Sequence, residues 1–407
     1  MSISGRFKFL AVLAVALVAL VAVGCGGSDD DSGGGSSGGD SGEGTTFKVG
    51  YVSALTGWLA EFEDTFTKTL KLKVDEVNKS GGLDGKYPID LTVVDGKSDP
   101  AEGALAAEQL VADGNTFLFG PCDQDAGLPA AQVAQEDGIP FLTSCAGASE
   151  FTDIVSPTTY LSVPGTWADG SGMAEWALDK GYKTAYMLYS KDIAYLQSVA
   201  EAFKAEYTEG GGEIVGESVY KMNEPRYTTE IDKIANMDPK PDFIAGVAIT
   251  PDSIVMLQEL ATRDLGIPIM FPYGNQTDLI LQPKDALNKV EAYVLGLSPV
   301  PEPGTPTAKL FKQYKNKYGA DPSPTQAAMA ADDIAVLADV VKTAGSVEPS
   351  ALQEALQNVE GVEGLTGPVT YKDQNGRPKK DYTVVKLTPS GFEFQESFFP
   401  ENVYSGK

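Results

Sequence analysis

Histidine is absent from the chain, which has 407 residues. Serine triads, cysteine–histidine pairs and most zinc sites contain histidine, so its absence removes the commonest form of each. After residue 46 the sequence also has no G-x-S-x-G nucleophile elbow and no phosphate-binding loop. These absences argue against an enzyme and against a resident cofactor or metal.

Basic side chains are scarce, with 31 Lys and Arg against 57 Asp and Glu, which gives a formal net charge of −26. Such a chain is repelled by phosphate backbones and by anionic lipid headgroups. We therefore expect neither nucleic acid nor an anionic lipid surface as a partner. Cysteine is scarcer still, with Cys25, Cys122 and Cys145 as the only three.

A long apolar run occurs only near the start, from Phe9 to Val23, with Arg6 and Lys8 before it. A membrane-spanning helix needs about 20 apolar residues, so this shorter run predicts a cleaved signal peptide over residues 1–24. The ending "VAVGC" resembles the bacterial lipobox, in which Cys25 becomes the lipidated first residue. An ordinary secretory signal is the alternative.

Residues 25–46 follow the signal and are dominated by glycine, serine and aspartate. Such a composition buries no apolar surface and predicts a flexible tether. A lipid followed by a tether would hold a mobile domain at the outer face of the bacterial cytoplasmic membrane.

From Phe47 onward, short apolar runs alternate with helical patterns. The strands "FKVGYVSAL", "IDLTVVD", "TFLFG" and "PFLTS" are separated by helices, which predicts a parallel sheet covered on both faces. Before the second helix, Asp99 is placed to cap, Pro100 suits the first helical position and Glu102 would complete a capping box.

A second alternating series runs from the helix "MAEWALDKG" to the strand "IPIMF". Three successive helices follow, beginning with "TAKLFKQYKNKYG", and the last predicted strand is "DYTVVKL". Helices that come after a completed α/β series suggest a return to the first lobe. The chain would then cross between two lobes more than once, which makes a hinge.

Four segments carry a family resemblance: "KVGYVSALTG", "VDEVNKSGGLDGKYPIDLTVVDGKSDPAEG", "EDGIPFLTSCAGASEFT" and "GLTGPVTYKDQNGRPKKDYTVVKL". They resemble the leucine/isoleucine/valine-binding type of ABC-importer substrate-binding lipoprotein, a type I periplasmic binding protein. The resemblance implies an α/β fold of two doubly wound parallel-sheet lobes joined by a three-crossing hinge. It implies lobe 1 at residues 47–163 and 298–381, and lobe 2 at residues 164–297 and 382–407.

Ligand would lie between these lobes, at the carboxyl ends of the strands, where loops and helix N-termini present backbone donors. The positions implied by the resemblance are Trp58, Phe62, Asp123, Gln124, Asp125, Cys145, Ala146, Gly147, Tyr195, Thr250, Tyr273 and Asn275.

Several of these positions depart from the family pattern. Where amino-acid-binding members carry small hydroxyl residues for the ligand carboxylate, this chain has Asp123, Gln124 and Asp125. The loop at Cys145 lacks the usual threonine, and Tyr273 and Asn275 stand where the family has the acid that pairs the ligand ammonium. Two ionised aspartates would repel a ligand carboxylate unless both point away or one is protonated.

The two aspartates also have an interpretation without ligand. Aspartate is a preferred helix cap and is stabilised by the helix dipole, so either could cap a helix starting at Ala126 or Gly127. We expect one to cap and leave ligand contact open for the other.

The resemblance bears on the cysteines as well. Family members often bridge a cysteine in the Cys122 loop to the loop after the second strand, but Ser98 stands there in this chain. Cys122 and Cys145 follow what we interpret as successive strands of one sheet, so their loops would be neighbours. We predict a Cys122–Cys145 disulfide.

The resemblance therefore implies a monomeric, lipid-anchored receptor that closes on a small polar ligand and delivers it to ABC transporter permease subunits. A branched-chain amino acid or a related amide is the first expectation. Urea, an aromatic acid or a cationic solute is the alternative, since the expected hydroxyls and acid are missing. A sensor lobe, or an enzyme using Asp123 and Asp125 as acid and base, is a further alternative.

Overall fold

Two separate β-sheets organise residues 45–401, the part of the chain that the computed structural model describes. The strands of the first sheet are β1 (Phe47–Ser53), β2 (Ile89–Asp95), β3 (Phe117–Gly120), β4 (Phe141–Thr143) and β5 (Thr159–Tyr160). Its intervening helices are α1 (Ala60–Lys79), α2 (Pro100–Ala112), α3 (Gln124–Glu136) and α4 (Glu150–Asp153). All five strands run parallel, in the order β2-β1-β3-β4-β5.

The second sheet repeats this plan. Its parallel strands are β6 (Thr184–Ser190), β7 (Glu213–Tyr220), β8 (Phe243–Val247), β9 (Ile269–Phe271) and β10 (Ala292–Gly296). Its helices are α5 (Thr166–Asp179), α6 (Ala194–Glu209), α7 (Thr228–Ala235), α8 (Asp252–Arg263) and α9 (Lys284–Leu287), with 3-10 turns at Tyr273–Asn275 and Asp278–Leu281.

The C-terminal elements are divided between the two sheets. They are α10 (Pro306–Tyr318), α11 (Pro324–Ala344), α12 (Pro349–Gln357), the small hairpin β11 (Val362–Gly364) and β12 (Gly367–Val369), and the hairpin β13 (Tyr382–Thr388) and β14 (Gly391–Phe398). Helix α11 packs against α1, so these helices cover the first sheet. Strand β13 pairs antiparallel with β10, which places the last hairpin at the edge of the second sheet.

The α/β fold of two lobes is thus as predicted, and the chain passes between the sheets three times. It passes after β5, after β10 and before β13. Parallel strands need crossover connections, so each lobe buries its sheet between helices. In the first lobe the aromatic rings of Tyr51, Phe66 and Phe119 pack together at this interface, with centroids 5.6 to 6.5 Å apart.

A buried ionic cluster joins two of the three connecting segments, the one after β5 and the one before β13. The Lys380 ammonium lies 3.3 Å from the Asp332 carboxylate and donates to the carbonyl of Ser162 at 3.1 Å. The Ser162 hydroxyl lies 2.8 Å from both Asp333 oxygens. Because a buried charge is costly unless paired and hydrogen-bonded, this cluster holds the connecting segments in one arrangement.

Three local predictions need correction. Asp99 caps α2 as expected, but Glu102 pairs with Lys97 at 2.9 Å instead of closing a capping box. Helix α3 begins at Gln124, earlier than the predicted Ala126 or Gly127, because Asp123 is its cap. Strand β14 was not predicted, since its burial alternates weakly along an exposed edge.

Candidate functional site

A cavity lies where the carboxyl ends of strands from the two sheets meet. It has a volume of about 70 Å³, several times what one buried water needs. Ten of the twelve predicted positions line it, namely Trp58, Phe62, Asp123, Gln124, Asp125, Cys145, Ala146, Gly147, Tyr195 and Tyr273. Both lobes contribute, so a ligand here would contact loops from each.

The other two predicted positions lie elsewhere. Thr250 lines a neighbouring, wider cavity that shares Phe62 and Gln326 with the first. Asn275 is fully buried, and its amide donates to the carbonyl of Ala248 at 2.6 Å and to that of Pro272 at 3.2 Å. Its amide nitrogen therefore holds the loops after β8 and β9, while its Oδ1 is buried without a hydrogen-bond partner among the described residues.

Asp123 caps α3 and also lines the cavity. Its Oδ1 accepts from the backbone N–H of Ala126 at 2.9 Å, and the backbone N–H groups of Gln124 and Asp125 also interact with its carboxylate. Burial raises the pKa of the Asp123 carboxyl, with the charge of Asp125 adding to the effect. A cation entering the cavity would stabilise its ionised form.

Main-chain donors face the same space from the first lobe. Within the described part of the chain, the N–H groups of Ala146, Gly147 and Ala148 donate no hydrogen bond, and all three residues line the cavity. Unpaired N–H groups beside a cavity suit an anionic ligand group.

Two helix N-termini from the second lobe also reach the cavity. Helices α5 and α6 begin at Thr166 and Ala194, both of which line it, and neither helix has a side-chain cap. The Thr166 N–H donates to the carbonyl of Gly147 at 2.9 Å, whereas the N–H groups of Ala194 and Tyr195 donate no hydrogen bond within residues 45–401. Free N–H groups at a helix start carry partial positive charge, so the start of α6 in particular favours a carboxylate. The entry to α5 requires Gly165, whose φ is 118° and where an added Cβ would lie 2.9 Å from the Trp167 ring.

Aromatic side chains form the apolar wall of the cavity. Trp58 is 50% exposed at its mouth, while Phe62 is half-buried behind it. Tyr195 and Tyr273 meet edge to face, with ring centroids 5.7 Å apart. Ring surfaces of this kind accommodate an aliphatic or an aromatic ligand group.

Tyr195 is held by a residue that sequence reasoning missed. The Asp169 carboxylate is fully buried on α5 and accepts from the Tyr195 hydroxyl at 3.1 Å and from the Tyr382 hydroxyl. Burial raises the pKa of Asp169 well above its usual value. Nothing in the local sequence marks Asp169, because its partners lie 26 and 213 residues away.

A hydrogen bond crosses the cleft beside the cavity. The Tyr273 hydroxyl, from the turn after β9, donates to the carbonyl of Cys145 at 2.6 Å. The two lobes are therefore in direct polar contact, as in a closed arrangement.

The loops after β3 and β4 lie side by side because those strands are neighbours. The Cys122 and Cys145 Cα atoms are 4.5 Å apart and their sulfur atoms are in contact. That separation falls within the range of disulfide-linked pairs.

Glu63 is a second residue that sequence reasoning missed. It is buried beneath both first-lobe loops and accepts from the backbone N–H of Cys122 and from Ser144 Oγ. A signal existed, since Glu63 precedes Phe66 and Leu70 by three and seven residues on the apolar stripe of α1.

Residues 45–401 contain neither a metal-binding cluster nor a membrane-spanning helix. No group of three or more carboxylate or thiol side chains is arranged there to hold a metal ion. No helix in that range combines the length and apolar content that a membrane crossing needs. The predicted signal peptide, Cys25 and most of the tether lie outside the described residues.

Comparison with known proteins identifies the family. The sequence profile of the family described as periplasmic binding protein matches residues 46–392. The Leu/Ile/Val-binding protein homolog 1 of Brucella abortus is 25% identical over 332 residues, which cover 81% of this chain and 87% of the relative.

Two solved structures share the fold. The substrate-binding protein of the branched-chain amino acid transporter of Streptococcus pneumoniae, in complex with isoleucine, has a TM-score of 0.76 at 22% identity, covering 88% of this chain and 100% of its own. A solute-binding protein of an ABC transporter from Rhodopseudomonas palustris, in complex with 3,4-dihydroxybenzoic acid, has a TM-score of 0.76 at 22% identity, covering 89% and 99%. The chain therefore belongs to the periplasmic binding protein family, and it is an extracytoplasmic solute-binding protein and not an enzyme.

Proposed function

We propose that this protein captures a small amino acid, with the branched-chain amino acids first, and delivers it to the permease of an ABC importer. The observation that carries the proposal is the composition of the interlobe cavity. Uncapped helix ends and free main-chain N–H groups suit a carboxylate, and the Asp123 carboxylate suits an ammonium. The named relatives of this chain include Leu/Ile/Val-binding proteins.

The three parts of an amino acid find separate partners in this cavity. Its carboxylate would take the N–H groups of Ala146 to Ala148 and the first turns of α5 and α6, in place of the hydroxyl residues that this chain lacks. Its ammonium would pair with Asp123, in place of the acid that Tyr273 replaces. Its aliphatic side chain would pack on the rings of Trp58, Phe62 and Tyr195.

An aromatic acid is the second candidate, and the four rings around the cavity favour it. One protein of similar fold holds 3,4-dihydroxybenzoic acid. Such a ligand would use the same donors for its carboxylate but would leave Asp123 without a cationic partner. The two candidates therefore differ in what they require of Asp123.

Delivery rests on closure of two lobes about a hinge. We assign residues 47–163 and 298–381 to lobe 1, and residues 164–297 and 382–407 to lobe 2. Ligand contacts from both lobes, together with the Tyr273 to Cys145 hydrogen bond, would favour the closed population. The shift is limited by the difference in ligand contacts between the open and closed states.

We further propose a lipid-anchored, monomeric receptor with one disulfide. Residues 1–24 would be removed, Cys25 would carry the lipid and residues 25–46 would be the tether, as the N-terminal sequence suggests. A Cys122–Cys145 bridge would join the two first-lobe loops. Intact mass of the membrane-extracted protein tests both features, because lipidation and the disulfide each change the mass.

A thermal-shift screen tests the ligand. The secreted chain beginning at residue 26 is a soluble form that lacks the predicted signal peptide and Cys25. It would be screened against leucine, isoleucine, valine, short amides, polyamines and benzoic acids, because a ligand that binds only the folded state raises Tm. Stabilisation by the branched-chain amino acids is expected. Stabilisation by benzoic acids alone would replace the first candidate with the second.

A further inference from the structure

Glu63 lies in the first turn of α1, between the cavity wall and the sheet. Leu59 and Phe62 on the same turn line the cavity. Glu63 is 1% exposed and does not reach it. A carboxylate this deeply buried is costly unless hydrogen bonds satisfy it, so its partners indicate what it does.

The two oxygens of Glu63 have different partners. Oε1 accepts from the backbone N–H of Cys122 and from Ser144 Oγ, the latter at 3.0 Å. Oε2 accepts from the Tyr51 hydroxyl and from Ser53 Oγ, the latter at 3.1 Å. Oε1 thus holds the loops after β3 and β4, whereas Oε2 holds strand β1.

Those two loops supply the first-lobe side of the cavity. One leads into Asp123 and Gln124, and the other into Cys145, Ala146 and Gly147. A shift of either loop would move the Asp123 carboxylate relative to the free N–H groups of Ala146 and Gly147. Because Glu63 contacts both loops, we expect it to influence the distance between the Asp123 carboxylate and these N–H groups.

We propose that Glu63 is a positioning residue of the ligand site, which sets ligand affinity by fixing the two first-lobe loops to each other through Oε1. The expected effect on ligand affinity rests on the proposed function, whereas the expected effect on the two loops rests only on the hydrogen bonds of Glu63. Methionine is a sharper test than glutamine, because it has a similar length and is only a weak acceptor, so the Cys122 N–H loses its partner. Glutamine could keep its oxygen toward the loops and donate its N–H₂ to the Tyr51 and Ser53 hydroxyls.

The first readout is the Kd of L-leucine for the secreted chain beginning at residue 26, measured by calorimetry at a temperature where circular dichroism shows every variant folded. Glu63→Met and Ser144→Ala should weaken binding, by about 10-fold for Glu63→Met. Tyr51→Phe and Ser53→Ala alter only the Oε2 side. They should lower Tm while leaving Kd within about 2-fold of wild type. Equal Kd values for Glu63→Met and Tyr51→Phe would overturn the proposal.

The second readout does not depend on the ligand's identity. Amide hydrogen exchange of the ligand-free protein, followed by mass spectrometry, should quicken in peptides covering 120–126 and 143–149 in Glu63→Met, and stay slow there in Tyr51→Phe. If leucine fails to bind the wild type, the ligand assignment fails, and this exchange measurement still decides the role of Glu63. Unchanged exchange in both segments of Glu63→Met would refute that role.

Discussion

Asp123 belongs both to the cap of a helix and to the lining of the cavity. Its Oδ1 caps α3, and we propose that the same carboxylate contacts the ligand. A cap and a ligand contact are often treated as alternatives, but a carboxylate has two oxygens and about four lone-pair sites. The two roles separate cleanly by substitution, because asparagine caps as well as aspartate does and carries no charge.

Asp123→Asn should therefore keep the Tm of the free protein near that of wild type and weaken leucine binding by about 10-fold or more, as expected for a lost charged hydrogen bond of about 1.5–3 kcal/mol. Asp123→Ala should lose both binding and about 1 kcal/mol of stability. Calorimetry and thermal unfolding measure the two effects. Asp137→Asn is the control, since that side chain is exposed at the far end of α3 and does not line the cavity. Wild-type affinity in Asp123→Asn would exclude the ammonium contact.

The raised pKa of Asp123 also predicts how binding depends on pH. Only the ionised carboxylate attracts an ammonium. Leucine affinity should therefore fall as the pH falls through the pKa of Asp123, which burial raises above its ordinary value of 3.8. Calorimetric titrations between pH 7 and pH 4 measure this dependence. In Asp123→Asn the dependence should flatten, and an equally steep decline there would assign it to another group.

At the level of elements, the turn at Tyr273–Asn275 links the lobes. It follows β9 in the second sheet, yet its first residue bonds to the Cys145 carbonyl of the first lobe. Because this bond joins the two lobes, opening of the cleft would break it, and we expect it to favour the closed form.

Tyr273→Phe should shift that balance toward the open form and weaken leucine binding by about 2- to 10-fold, the range expected for one hydrogen bond of about 0.5–1.5 kcal/mol. Small-angle scattering should show a larger radius of gyration in the free variant. Tyr371→Phe is the matched control, because its hydroxyl donates to the Leu161 carbonyl away from the cavity. An identical effect in both variants would mean that the cross-cleft bond has no special role.

The sequence predicted elements well and side-chain networks poorly, for a physical reason. Periodicity and caps act over a few residues, so the alternation of strands and helices, the cap at Asp99 and the return of α10 to α12 could all be anticipated. Asp169 and Glu63 act through partners distant in sequence, and composition does not reveal them. The family resemblance places Asn275 at the ligand, and the structure shows its amide donating to the Ala248 carbonyl outside the cavity lining.

On the scale of the whole molecule, the notable feature is a set of buried carboxyl groups in an already acidic chain. Burial raises the pKa of Glu63, and it raises the pKa values of Asp169 and Asp333 well above their ordinary value. In the folded state these groups hold protons more tightly than in the unfolded chain. The net charge of −26 adds self-repulsion at neutral pH.

Folding stability should consequently be highest in mild acid. An acid with a raised folded-state pKa contributes stability that is present below its unfolded pKa, near 3.8 for Asp and 4.5 for Glu, and is lost as pH rises through the folded value. Urea unfolding should therefore give a higher free energy of unfolding at pH 5 than at pH 8. Asp169→Asn should reduce that difference, and a steeper dependence in this variant would contradict the assignment.

The central claim is that the interlobe cavity binds a branched-chain amino acid through main-chain donors and Asp123. The most direct test is calorimetric titration of the secreted chain beginning at residue 26 with L-leucine, for wild type and Asp123→Asn. We expect saturable 1:1 binding by the wild type and binding at least about 10-fold weaker in the variant. No leucine binding by the wild type, or equal binding by both proteins, would contradict it.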